Sequence, residues 1–217
     1  MATVPKTLVN GVLGRRLRHS RFEKLVGDLK PWRADEDLRA IEAAKGSALV
    51  LPFVKGLHLS SQLIYLIRNH LSDTDLEVHW GHLLDPAEES CSPECDIIVH
   101  SRGWVESWNG EPNPIMDFKF IKCENAHAVV SCKSFAKDID KDYARKLGKY
   151  IANILIFAEC CGPKSASKLE KKAKAQGYTG FWYLYTMDQE TGECVNCPDK
   201  WEDFLQTICR LVKRTSA

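Results

Sequence analysis

Cys95-Asp96-Ile97-Ile98-Val99-His100 and Ala128-Val129-Val130-Ser131-Cys132-Lys133-Ser134 decide how this chain folds. Both are short apolar runs rich in β-branched residues, which predicts strands buried in the middle of a sheet. Each carries one charge, Asp96 where the first run begins and Lys133 where the second ends. Charged side chains are seldom fully buried unless paired, so an acid and a lysine on neighbouring core strands point to a site.

Outward from this pair, the pattern alternates between strands and helices. Leu57 to Leu71 has apolar residues at helical spacing, and Leu76 to Leu84 alternates as a strand. Ala48 to Pro52 reads as a separate apolar run limited by its proline, and 85–93 as a polar loop. Residues 102–114, with two glycines and two prolines around Trp104 and Trp108, read as a loop, followed by a strand near 117–121. Beyond Lys133 come a helix over 139–152, a strand over 154–158, a basic helix over 165–175, an aromatic strand over 181–187, a turn-rich stretch and a helix over 200–213. A meander followed by helical crossovers between parallel strands predicts a mixed α/β sheet with helices on both faces.

Residues 8–30 read as a basic amphipathic helix that proline 31 ends, and 35–44 as a second short helix. This divides the chain into an N-terminal helical segment, 1–46, and an α/β domain, 47–217. The net charge of +1 in 217 residues gives no overall field of the kind that marks nucleic-acid binding. Local basic faces remain: Arg15, Arg16 and Arg18 at one end, Lys171 and Lys172 at the other. No run of 18 apolar residues and no secretory signal pattern is present, which predicts a cytoplasmic protein with no membrane span.

Nine cysteines in such a chain are expected to be reduced. The pairs Cys91/Cys95 and Cys194/Cys197 have spacings that a four-thiolate Zn²⁺ site would use, with unrelated free thiols as the alternative. Cys132 as a nucleophile lacks any evident base. His79, His82, His100 and His127 are scattered, and His79 and His82 are three apart on a strand, hence on opposite faces.

Ser92-x3-Asp96-Ile97-Ile98-Val99, a loop, and then Val129-Val130-Ser131-Cys132-Lys133 before a helix resemble the PD-(D/E)XK nuclease superfamily. The resemblance is to its small bacterial branch of restriction-enzyme-like domains and spans about residues 55–160, including the helix from Gly56 to Leu71. It implies a restriction-endonuclease-like mixed sheet flanked by helices on both faces. It also implies a Mg²⁺- or Mn²⁺-dependent DNA nuclease of the kind found in prokaryotic restriction and anti-phage systems. In that family an acid and an acid-x-lysine on adjacent strands converge on one metal. Here Asp96 matches the metal-binding acid and Lys133 the lysine, while Ser131 stands where the second acid belongs. Glu94, Asp138, Asp140 or Gln62 would have to supply the missing ligand, Glu94 being the nearest in sequence. Asp117-x-Lys119 is a rival acid-x-lysine. The departure at Ser131 keeps a second reading open: a catalytically lapsed subunit that binds DNA or a protein partner in a defence complex.

Overall fold

The computed structural model describes residues 21–30, 50–101, 105–107 and 118–215. Its elements, in chain order, begin with helix α1 (21–30) and helix α2 (Val50–His70). Strands β1 (Leu76–Asp85), β2 (Ser90–Cys91), β3 (Cys95–Ser101), β4 (Val105–Ser107), β5 (Phe118–Lys122) and β6 (Ala126–Ala136) follow. Helix α3 (Lys141–Leu147), β7 (Ile154–Cys161), helix α4 (Ala166–Ala175), β8 (Gly180–Met187), β9 (Cys194–Asn196) and helix α5 (Pro198–Thr215) complete the order. Arg15, Arg16, Arg18, the helix expected over 35–44, Trp104, Trp108 and Asp117 lie outside the described residues.

Among the described residues, nine strands join one sheet in the order β4-β5-β1-β3-β6-β7-β8-β9, with β2 paired to β1. β3 lies antiparallel between β1 and β6, and β6, β7 and β8 run parallel through the crossovers α3 and α4. Every residue of β7 is buried. That is why β7 reads as a continuous apolar run: a parallel strand in the middle of a sheet is covered on both faces.

One face carries α1, α2 and α5. Phe22 and Leu25 of α1, Leu63 and Ile67 of α2, and Trp201 and Phe204 of α5 share a core with Ile97, Val99, Val130 and Leu155. The other face carries α3 and α4, whose Leu147 and Leu169 meet Ile98, Val129 and Ile156. Alternate residues of β3 and β6 thus serve opposite cores, as strand geometry requires.

Several boundaries differ from the sequence reading. α2 begins at Val50 and absorbs Pro52, because a proline in the first helical turn sacrifices no intrahelical bond. α3 ends at Leu147 rather than near 152, with the Gly148 N–H closing on Ala144 O. The regions read as loops hold β2, β4 and β9, pairs and triplets too short to show any alternation.

Candidate active site

Asp96 is the second residue of β3, and continuing the register Ile97↔Val130 sets it opposite Ser131 of β6. Its Oδ2 accepts the Cys132 N–H at 2.7 Å. Ser131 and Lys133 are two apart on β6 and so share the face on which Asp96, Ile98 and His100 lie. The structure therefore brings Asp96, Ser131 and Lys133 together. Ser131 is buried, 3 % exposed, while Lys133 is exposed.

Burial raises the Asp96 carboxyl above its ordinary 3.8, against the Cys132 N–H, the Lys133 charge and a side-chain hydrogen bond from Ser131, which all pull it down. The neighbouring Glu94 carboxylate adds to the rise. The two acids thus sense one another. The exposed Glu94 side chain accepts the Trp80 indole N–H at Oε1, 2.8 Å, and its carbonyl accepts the Tyr143 hydroxyl at 3.0 Å. Two thiols and a phenol around Asp96 are held neutral. Burial pushes the Cys95 thiol up to about 12, the Cys132 thiol well up, and the Tyr143 phenol up. A thiol so disfavoured as thiolate is no nucleophile, in line with the lack of a base beside Cys132.

Sequence reasoning did not anticipate Trp80, Tyr143 or the Cys132 N–H in this neighbourhood; no local pattern marks them. Ser92 has a bracing role. Its Oγ accepts the Leu83 N–H at 2.8 Å and donates to Pro93 O at 2.7 Å, fixing the turn that delivers β3.

Of the expected substitutes for the missing acid, three are placed elsewhere. Asp140 caps α3, its Oδ1 accepting the N–H groups of Asp142 and Tyr143. Asp138 is paired with Lys172 and accepts the Ile139 N–H. Gln62 belongs to α2, which packs on the opposite face of the sheet. Glu94 alone remains beside Asp96. Lys119 of the rival motif sits on β5, separated from β3 by β1. Lys171 is exposed on α4, on the same sheet face as Asp96; Lys172 is occupied by Asp138.

The sheet keeps the two cysteine pairs apart, so the four-thiolate zinc site is not formed and the free-thiol reading holds. Cys91 and Cys95 lie at β2 and β3, Cys194 and Cys197 at β9 and the turn after it, with β6, β7 and β8 between them. Four strand steps amount to about 19 Å. All nine cysteines are free thiols.

Two of these four histidines, His79 and His100, come together. β1 and β3 pair with Glu77 opposite His100 and His79 opposite Ile98, and His79 Nδ1 lies 2.7 Å from His100 Nε2. His127 Nε2 is 2.7 Å from Ser101 Oγ, and burial lowers both His100 and His127. His82 turns away to Ser92 O, 2.8 Å, and stacks on Phe120. The signal for this group lay in the spacing Glu77-x-His79 and in an antiparallel register that only the sheet reveals.

No family model matches the chain, and no curated protein matches it. Among solved structures, it is similar to P. aeruginosa ATCC27853 NucC in its cAAA-bound form, with 14% identity, a TM-score of 0.56, and 91% of this chain and 90% of that chain covered. It is likewise similar to E. coli MS115-1 NucC in its cAAA-bound form, with 12% identity, a TM-score of 0.58, and 97% and 91% covered. At such identities the likeness is one of fold: a restriction-endonuclease-like mixed sheet flanked by helices on both faces.

Proposed function

We propose that this protein is a divalent-metal-dependent DNA nuclease of a prokaryotic anti-phage or restriction system, with Asp96 and Lys133 at its site. The observation that carries the reading is the convergence of Asp96, Ser131 and Lys133 on one face of a restriction-endonuclease-like sheet. The fold shared with NucC supports the defence setting.

The residues present fit a hard cation at its lower limit. Mg²⁺ is ordinarily held by one or two carboxylates, waters and substrate phosphates. Asp96 and Glu94 would be those carboxylates, with Glu94 leaving Trp80 to do so. Bound there, a Mg²⁺ or Mn²⁺ ion would acidify a water and offset phosphate charge. The chain's own contributions are distinct. The Cys132 N–H and the Ser131 hydroxyl orient the Asp96 carboxylate. The Lys133 ammonium, exposed beside it, attracts the scissile phosphate and stabilises negative charge as it builds on the phosphoryl oxygens. Lys171 on the same side of the sheet, with Arg15, Arg16 and Arg18, would contact the DNA backbone.

Ser131 favours a second reading, a nuclease fold that has lost cleavage and binds DNA or a protein partner in a defence complex. Its buried hydroxyl occupies the place of the second acid and spends its proton on the first. Incubation of plasmid DNA with the protein and Mg²⁺ or Mn²⁺ separates the two. Because both NucC structures hold cAAA, the assay is run with and without that nucleotide. Asp96→Ala and Lys133→Ala are each expected to lower cutting by roughly 10²–10³-fold, the scale of removing one transition-state contact. Wild type that cuts no better than either variant under every condition leaves the binding reading, to be followed by DNA gel shift.

A further inference from the structure

We infer that Glu77, His79 and His100 form a second metal site, one that takes a Zn²⁺-like ion rather than Mg²⁺. One donor atom from each residue lies within 4.8 Å of the other two. The sheet builds this group. Glu77 and His79 project from the same face of β1, and the antiparallel register sets His100 of β3 directly across from Glu77. His100 is 0 % exposed, and Glu77 and His79 are half-buried, so one ligand is rigid and two retain room to adjust.

Hydrogen bonding determines how His100 faces the group. Its Nδ1 lies 2.9 Å from Ser101 O. A carbonyl only accepts, so Nδ1 carries the proton, and the neutral ring presents the Nε2 lone pair towards His79. A histidine that donates its other ring N–H to a backbone carbonyl is the usual arrangement of a metal ligand, because the bond fixes tautomer and ring orientation. Without an ion, His79 Nδ1–H donates to that lone pair across 2.7 Å. An ion would take the place of this shared proton. The His79 ring proton would move to Nε2 through solvent, leaving both rings neutral. Two nitrogens at about 2.0–2.1 Å from a tetrahedral ion stand about 3.3–3.4 Å apart. The His79 ring would therefore swing outward by about 0.6–0.7 Å, given those bond lengths.

The donor set determines the ion. Two imidazoles and one carboxylate suit Zn²⁺ and its first-row neighbours, whereas Mg²⁺ and Ca²⁺ favour all-oxygen shells. A fourth position falls to water or a further ligand, as in open zinc sites. The group is also separate from Asp96. His100 and Asp96 share a face of β3 but stand four residues apart, about 13 Å along the strand. The inference therefore does not rest on the nuclease reading.

The full chain, stripped with chelator, is titrated with Zn²⁺ by calorimetry and with Co²⁺ by visible absorption. One equivalent is expected to bind, with the absorption of four-coordinate cobalt. Zn²⁺ is also expected to move the ring NMR signals of His79 and His100. Glu77→Gln and His79→Gln keep side-chain size and are each expected to weaken binding at least about tenfold, beyond what loss of an outer-shell contact does in its milder cases. Asp96→Ala is expected to bind as wild type does. Failure of the folded wild type to bind one equivalent overturns the inference. So does unchanged affinity in both Glu77→Gln and His79→Gln, or a loss confined to Asp96→Ala, which would put the ion at the other carboxylates.

Discussion

Asp96 sits between opposed influences, and its titration exposes them. Burial makes the charged form unfavourable, and the Cys132 N–H, Lys133 and Ser131 recover only part of that, so the folded carboxyl lies above its ordinary 3.8. The folded chain then holds this proton more tightly than the unfolded chain does. Well below 3.8 both states are protonated and nothing is lost. As pH rises through that value the unfolded chain ionises first, and stability falls until the folded carboxyl has also ionised; above that the penalty is constant. Asn cannot ionise, and its amide oxygen still accepts the Cys132 N–H. Asp96→Asn is therefore expected to melt higher than wild type at neutral pH, with the gap closing as pH approaches 3.8. Thermal melts of both proteins across that range check it, and a variant that melts lower at neutral pH contradicts it. The placement of Asp96, Ser131 and Lys133 on one face could be read from sequence because alternation on two neighbouring strands brings them together without further information. The Glu77–His79–His100 group could not. It depends on which residue of β1 faces which residue of β3, and the register shifts between His79 and Gly81.

At the scale of elements, Gly81 is where β1 changes course. A Cβ there would stand 1.8 Å from the Lys119 carbonyl oxygen, a backbone atom of the paired strand β5. Backbone cannot swing aside as a side chain does, so the β1–β5 pairing would have to open. Gly81→Ala is expected to cost about 1–3 kcal/mol, the usual range for forcing extra volume into a packed site. Chemical denaturation midpoints measure this, and a midpoint equal to wild type would show that β5 yields freely. The same irregularity explains part of what the sequence concealed. Central strands β3, β6 and β7 announce themselves by unbroken apolar runs, because both of their faces are covered. Edge strands β4 and β9 are three residues each, and β2 is two, so no period exists to be read.

At the scale of the whole molecule, the question is whether the N-terminal segment is separable from the α/β domain. Phe22, Leu25, Val26 and Leu29 of α1 are 0–4 % exposed and belong to the same core as Trp201, Phe204 and the sheet residues Ile97 and Val130. Burying one such side chain contributes about 1.5–3 kcal/mol, so the four together contribute about 6–12 kcal/mol as an upper figure. That is comparable to the entire net stability of an ordinary domain, about 5–15 kcal/mol. Removal of residues 1–46 is therefore expected to leave a chain that aggregates or unfolds without a cooperative transition, through exposure of the α2 and α5 faces. Leu25→Ala in the full chain, a far smaller change, is expected to lose about 2–5 kcal/mol and still fold. Together the two distinguish a core contribution from a mere tether. If the truncated chain melts as sharply and as high as the full chain, α1 adds little to the core that the sheet, α2 and α5 form by themselves. If it fails as expected while Leu25→Ala still folds, α1 is an integral part of the core it shares with α2, α5 and the sheet rather than a separable segment.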